Sequence, residues 1–338
     1  MLLVIRTIII GALGGCVAYW LGLPSAWLIG ALLTVVLVGV TNIQVVMPAS
    51  TSSVITLFLG ISVALNIESG LVDQLLHWAG SILLMCLMLA SLLWILYRFY
   101  AAQHGWRRDE ALFCSVPGNL AIMLSMAAEM NANVRRISLI HGIRLLFLVF
   151  CIPLFLPVAE RRVSLQGFHI EHPERMLITI ALATLIGWVL KHIKLPAPML
   201  VGGIVATLLL RQSMDWDWRF PDMILLSLMV FLGCAIGSRF NNIDIHESIA
   251  EIKAASVGLL ITLMVSAGFA AILHYVAAIP WTQAMLAYAP GGMEVMIAIA
   301  MNQDVDALFV ATHQLFRMLI MSMTIPLLMI LIRRKDVA

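Results

Sequence analysis

The sequence predicts an all-α polytopic membrane protein made of two homologous repeats, and three observations carry that prediction. The first is composition: of 338 residues, 62% are hydrophobic and 11% charged, with a mean hydropathy of +1.03. Soluble domains run at about 45–50% apolar and about 25% charged. The second is a duplicated register of Pro, Gly and Arg. The third is a Pro-Gly interruption at the same place in each half, inside a run that otherwise reads as buried helix.

The register is read from punctuation, because apolar matches are cheap in such a chain. At a shift of 172, Gly15 falls on Gly187, Leu23-Pro24 on Leu195-Pro196 and Gly30 on Gly202. At a shift of 173, Phe58-Leu59-Gly60 falls on Phe231-Leu232-Gly233, Pro117-Gly118 on Pro290-Gly291, Arg144 on Arg317 and Pro153 on Pro326. One inserted residue between positions 30 and 60 accounts for the change. Repeat 1 therefore covers 1–157 and repeat 2 covers 175–338, joined by a charged linker over 158–174 that holds Glu160, Arg161, Arg162 and Glu174.

In order, the first repeat contains apolar segments at 4–20, 24–40, 52–67, 77–97, 109–130 and 137–157, and the second at 175–192, 197–210, 222–238, 253–278, 282–301 and 307–332. Residues 2–21 have the look of a secretory signal, but 4–20 is matched by 176–192, so this stretch is expected to belong to the fold and to stay uncleaved. The fifth segment of each half carries the break and either crosses the membrane or turns back. That gives 10–12 transmembrane segments, with the halves inverted if the segments turn back and parallel if they cross. Charge bias separates the two poorly, whereas Arg135 and Arg136 after the first break against Asp304 and Asp306 after the second favour inversion. Either arrangement puts both termini in the cytoplasm.

Composition also narrows function. The net charge of +2 comes from scattered residues, with the longest basic cluster at Arg333-Arg334-Lys335, so direct nucleic-acid binding is not expected. The five cysteines lie in apolar segments without a C-x-x-C pair and read as small buried hydrophobes. The nine histidines are dispersed, and no metal centre or other cofactor is expected. The 21 methionines read as helix packing, and Trp20, Trp27, Trp94, Trp106, Trp188 and Trp281 near segment ends read as interfacial anchors.

"CSVPGNLAIMLSMAAEMNANVRRISLIHGIRLLF" and "AYAPGGMEVMIAIAMNQDVDALFVATHQLFRMLI" together resemble the AbrB family of duplicated bacterial inner-membrane proteins. The resemblance covers the whole chain. It rests on a Ser-Pro-Gly-Gly break, an Ala-Asp further on and a Gln-x-x-Arg on the next helix. The second copy keeps Pro290, Gly291, Gly292, Asp306, Gln314 and Arg317. The first keeps Ser115, Pro117, Gly118 and Arg144 but has Asn119, Asn133 and His141 where the pattern has Gly, Asp and Gln. The family carries two labels, a regulator of gene expression and an ammonia monooxygenase, and the scattered histidines give the second no support.

The chemistry expected of the breaks follows from the backbone. Half-helices starting near Gly118 and Gly291 have first amides without intrahelical partners, which attract anions, and irregular backbone at membrane depth is tolerated where it lines a site. Arg144 and Arg317 lie in otherwise apolar segments and must face protein or a cavity. A structural bond to the carbonyls freed by each break is the alternative to ligand binding. Glu294 has three expected roles: pairing with Arg317, capping its half-helix, or holding a proton or cation. The first break has no such acid, which makes Arg144 the better candidate for an anionic substrate. The candidate substrate-binding residues are thus Pro117, Gly118, Asn119, His141 and Arg144 with Pro290, Gly291, Gly292, Glu294, Gln314 and Arg317. The expected function is secondary transport of a small, anionic solute across the bacterial inner membrane, not catalysis, by a protein whose partners are the lipid bilayer, that solute and a second copy of itself. A membrane regulatory protein that affects gene expression indirectly is the other reading.

Overall fold

The computed structural model of the chain describes residues 2–41, 43–66, 77–118, 120–156, 172–214, 216, 218, 220–240, 249–303 and 305–337. Of residues 103, 121, 122, 155 and 330–337 only the backbone is described. Asn119 and almost all of the 158–174 linker lie outside these residues.

The described residues form fourteen α-helices. The first seven are α1 (Leu2–Trp20), α2 (Ala26–Val40), α3 (Ser50–Leu65), α4 (Ala79–Arg98, continued by a π-helical turn at Phe99–Gln103), α5 (Arg108–Ser115), α6 (Leu120–Glu129) and α7 (Val134–Phe155). The second seven are α8 (Pro173–His192), α9 (Pro198–Met214), α10 (Asp222–Gly237, closed by a 3₁₀ turn at Ser238–Phe240), α11 (Ile249–Ala277), α12 (Trp281–Tyr288), α13 (Met293–Asn302) and α14 (Ala307–Val337).

Ten of the twelve apolar segments each become one helix. The fifth of each half becomes two, because proline lacks an N–H and drives the residue before it out of the helical region. By length and composition, seven helices among the described residues can cross a membrane: α1, α4, α7, α8, α10, α11 and α14. The apolar helices α2, α3 and α9 are shorter, with 15, 16 and 17 residues, which is about 22–26 Å of helix.

Proline and left-handed residues punctuate the chain. Pro173 and Pro198 open α8 and α9, where the missing donor costs nothing. Left-handed backbone precedes α2 at Gly22 and Ser25, precedes α9 at Lys194 and Ala197, and occurs ahead of α5 and α12 at Gly105 and Ala278. Asn133 Oδ1 accepts the Arg136 amide at the start of α7 (3.0 Å), and Asp306 Oδ1 accepts the Leu308 and Phe309 amides at the start of α14 (3.0 Å each). Both residues are therefore helix caps.

The chain divides into two compact units, neither of which is a sequence half. Unit 1 is Met1–Leu71, Ile152–Ile243 and Glu294–Ala311; unit 2 is Val72–Cys151, Asp244–Met293 and Thr312–Ala338. Within unit 1 the helices cross at glycines. A Cβ on Gly14 would strike the Gly30 carbonyl between α1 and α2, and one on Gly202 would strike Gly187 between α8 and α9. A Cβ on Gly60 of α3 would strike the Leu200 carbonyl of α9, and one on Gly233 of α10 the Leu28 carbonyl of α2. Small residues let backbones approach where lipid gives helices no hydrophobic reason to associate. The core of unit 1 includes Leu57, Ile61, Leu65, Ala183, Ala206, Trp218 and Phe220.

In unit 2, α11 packs against α4 and α12, with Gly258 of α11 seated under the Tyr100 hydroxyl. Trp20, Trp94 and Trp188 are exposed, whereas Trp27, Trp106 and Trp281 are half-buried, Trp106 stacked on Tyr100 at 5.0 Å with the Arg136 guanidinium over its ring at 4.7 Å.

Candidate functional site: two stapled helix breaks

Each break is an eight-residue helix, an extended residue, a Pro-Gly pair and a ten-residue helix. Val116 (φ −74°, ψ 124°) ends α5 and Ala289 (φ −63°, ψ 124°) ends α12. In an unbroken helix, the amide at position 117 would bond the Phe113 carbonyl and the amide at 290 the Leu286 carbonyl. Proline leaves both carbonyls without a donor in a buried place, and an unpaired buried carbonyl costs about 1–3 kcal/mol.

The structure supplies the missing donor from the next long helix. His141 Nε2 lies 2.8 Å from the Phe113 carbonyl, and Gln314 Nε2 donates to the Leu286 carbonyl at 2.7 Å. The arginine one turn on takes the carbonyl next to the proline. Arg144 Nη2 donates to Val116 O (3.1 Å), while Arg317 Nη1 donates to Ala289 O (3.3 Å) and its Nη2 to Gly291 O (2.9 Å). All four side chains are buried: His141 and Arg317 at 6% exposure, Arg144 at 7% and Gln314 at 0%. A cation at the C-terminal end of a short helix also complements its dipole.

The first staple has a fixed proton arrangement. Arg144 Nη2 also donates to His141 Nδ1 at 2.6 Å. Since guanidinium only donates, Nδ1 is the acceptor and Nε2 carries the hydrogen given to Phe113 O. Among the described residues no carboxylate pairs with Arg144. In the second staple, Gln314 Nε2 has further carbonyl contacts at Ala287 (3.3 Å) and Ala289 (3.2 Å), and its Oε1 is buried without a hydrogen-bond partner among the described residues.

Of the sequence candidates, Pro117, Gly118, His141 and Arg144 come together at the first break, and Pro290, Gly291, Gln314 and Arg317 at the second, with Gly292 next in the chain. A Cβ on Gly118 would touch only side chains, 3.2 Å from Val116, 3.4 Å from Ile325 and 3.6 Å from Met321. Glu294 lies in unit 1, where its Oε1 accepts the Ser52 hydroxyl at 2.8 Å. Sequence reasoning missed Ser52, and it offered the freed carbonyls as partners of the two arginines but not of His141 and Gln314. A donor 24 residues after each proline, His141 after Pro117 and Gln314 after Pro290, was the signal for the latter.

Two further polar groups lie outside the predicted set. At the start of α5 and α7, Glu110 (6% exposed) accepts Arg136 at 2.7 Å and the Asn133 amide at 3.1 Å, and Arg136 also reaches Glu251 of α11 at 3.5 Å. Arg107 pairs with Asp109 at 2.7 Å. These pairs clamp the entry to the first broken helix. An almost wholly apolar pocket in unit 1 lies among Ile55 and Leu59 of α3, Leu228 and Met229 of α10 and Met301 of α13.

Comparison with known proteins gives the family. Residues 27–333 match the family described as "Transition state regulatory protein AbrB". The chain is 23% identical to "Putative regulator AbrB" of Escherichia coli (strain K12), with 90% of this chain and 89% of that protein covered. It is 26% identical to "Uncharacterized protein YhjN" of Bacillus subtilis (strain 168), with 94% and 90% covered. No solved structure matches. The broken helices, the stapling side chains and a match that spans nearly the whole chain lead to one assignment: this is a membrane protein that belongs to the AbrB family.

Proposed function

We propose that this chain is a secondary transporter of a small anionic solute in the bacterial inner membrane, working by solute binding and not by catalysis, with both termini cytoplasmic. One observation carries the reading: each helix break holds a buried guanidinium beside a half-helix N-terminus, so two centres of positive potential lie in segments otherwise fit for lipid. The binding residues are Pro117, Gly118, Asn119, His141 and Arg144 with Pro290, Gly291, Gly292, Glu294, Gln314 and Arg317. A guanidinium whose bonds go to neutral acceptors, as those to Val116, Ala289 and Gly291 do, is not neutralised by them, and an anion that displaces one of those bonds gains a charge-assisted one.

The two halves are homologous inverted repeats in this reading. Seven helices recur in the same order, and the left-handed pairs Gly22 and Lys194, Ser25 and Ala197, and Gly105 and Ala278 are related by the same shifts of 172 or 173 that align the sequence. Inversion has its own test: cysteines introduced at Asn131 and Asn302 label from opposite sides in intact cells, and labelling from one side overturns it. For transport, thermal stabilisation of purified protein selects solutes from a panel of small anions, and flux into proteoliposomes follows. Uptake that vanishes in Arg317→Gln supports the reading. Binding without flux points instead to an indirect regulator of gene expression, the reading that the names of the family and of its Escherichia coli relative favour.

A further inference from the structure

One buried hydroxyl near the first staple has no structural duty. Tyr100 sits in the π-helical turn that continues α4, is 2% exposed and stacks its ring on Trp106 at 5.0 Å. Its hydroxyl lies against α11 at Gly258, where any Cβ would strike it. Among the described residues that hydroxyl has no hydrogen-bond partner. A buried phenol left so costs stability, and phenylalanine would fill the same space without that cost.

The guanidinium of Arg144 is likewise only partly used. Its Nη2 is spent on Val116 O and His141 Nδ1, while Nε and Nη1 have no acceptor among the described residues. The Tyr100 hydroxyl and the Cys114 thiol are the acidic groups in electrostatic range of it, and no carboxylate among the described residues is. The first break therefore presents spare donors from two elements of unit 2, the π-helical turn and α7. The staple holds the guanidinium in one pose, so these donors are preorganised.

The second break has no such phenol. The shift of 173 that takes Arg144 to Arg317 takes Tyr100 to Leu273, and it sets Met85 opposite Gly258. Around Leu273, α11 runs on as an ordinary α-helix to Ala277. The irregular turn, the phenol it carries and the glycine that seats the hydroxyl thus occur together at one break only. Single π-helical turns inside α-helices are frequent at functional sites.

We infer, resting on the transport reading for the entry of an anion at all, that Tyr100 is an anion ligand beside Arg144 and that the first break takes a small monocarboxylate. The charge count selects the class. Arg144 brings one positive charge without a carboxylate partner, and the phenol adds a donor without adding charge. The next cation, Arg136 on the far side of Trp106, is already paired with Glu110 and Glu251. A dianion would keep one charge uncompensated at membrane depth. Two carboxylate oxygens suit donors that come from two elements.

The test is fluorine NMR of the full-length protein in nanodiscs with its five tyrosines replaced by fluorotyrosine. Tyr100→Phe, which keeps the ring stacked on Trp106, identifies the resonance by its loss. Acetate and propionate shift that resonance saturably, succinate and sulfate at matched ionic strength do not, and Arg144→Gln abolishes the response. In thermal-stabilisation curves with propionate, Tyr100→Phe binds about tenfold or more weakly than wild type, while the ligand-free variant is no less stable. A Tyr100 resonance that neither monocarboxylate moves overturns the proposal, as does sulfate or succinate binding as well as propionate, or a Tyr100→Phe affinity within about twofold of wild type. If Arg144→Gln does not insert, the Tyr100→Phe affinity decides alone. Failure here is distinct from failure of the transport reading. Flux of an anion that leaves the Tyr100 resonance unmoved keeps transport and removes this site, whereas a propionate response in a protein that moves no solute does the reverse.

Discussion

The two helix breaks share a backbone and differ in how completely they are wired. At the first, both ring nitrogens of His141 and the Nη2 of Arg144 are committed: His141 gives to Phe113 and takes from Arg144, which also gives to Val116. At the second, Gln314 does the proline's missing work with its amide nitrogen while its oxygen, the counterpart of His141 Nδ1, is buried without a hydrogen-bond partner among the described residues, and Arg317 reaches past the proline to the Gly291 carbonyl. A closed circuit resists rearrangement. An open one holds a vacant acceptor, costing about 1–3 kcal/mol, that Arg317 or a ligand N–H can fill. The contrast makes the first break the anchor and the second the adaptable one.

The largest test of that contrast is removal of the guanidinium. Arg144→Met deprives both Val116 O and His141 Nδ1 of a donor and should lower stability by roughly 3 kcal/mol or more, read by thermal unfolding in detergent. Arg317→Met should cost less, because Ala289 O retains the Gln314 contact and a bond from the Gly291 amide at 2.9 Å. Equal losses would end the distinction between anchor and adaptable site.

Next come the proline surrogates. His141→Leu leaves the Phe113 carbonyl unpaired and should cost about 1–3 kcal/mol, while Gln314→Leu removes an unpartnered acceptor along with its donor and should cost less. His141→Gln keeps one donor and one acceptor and should stay within about 1 kcal/mol of wild type. A His141→Gln protein as unstable as His141→Leu would show that ring packing, not hydrogen bonding, holds the first break.

Smaller effects are expected at Gly118 and Glu294. Gly118→Ala meets only side-chain atoms at 3.2–3.6 Å and should fold with a loss under about 1 kcal/mol, while Gly118→Leu should insert but lose binding or flux. Full activity in Gly118→Leu would leave the break as a packing kink. A double-mutant cycle on Ser52→Ala and Glu294→Gln should return a coupling of about 0.5–1 kcal/mol. A value near zero would detach Glu294 from α3.

Much of this was legible in the residues. Hydropathy placed all the described long helices, and Pro117 and Pro290 located both interruptions, because a missing N–H acts locally whatever surrounds it. The π-helical turn at Phe99–Gln103 was not legible, since nothing in the local residue pattern marks it and Tyr100 within it packs on Gly258, far along the chain. The carbonyls freed by each break were one of two readings for Arg144 and Arg317, but backbone carbonyls carry no letter in a sequence, so the residues alone did not choose between a staple and a ligand site or say which carbonyl each arginine takes. None of the three roles expected of Glu294, pairing with Arg317, capping its half-helix or holding a proton or cation, names its hydroxyl partner Ser52, which lies 242 residues away, beyond any helical spacing rule.

The glycine crossings of unit 1 bear on how the protein is made. Gly60 of α3 seats against Leu200 of α9, and Gly233 of α10 against Leu28 of α2, so the early helices meet their neighbours only after much of the later chain has left the ribosome. At about 5–20 residues per second, α3 waits roughly 7–30 seconds for its seat. During that interval a stripe of small residues faces lipid or a chaperone of the insertion machinery. A chain cut in the linker should accordingly give fragments that are degraded when expressed singly and rescued when expressed together, making biogenesis, rather than the finished fold, the step at which glycine substitutions in α3 first do harm.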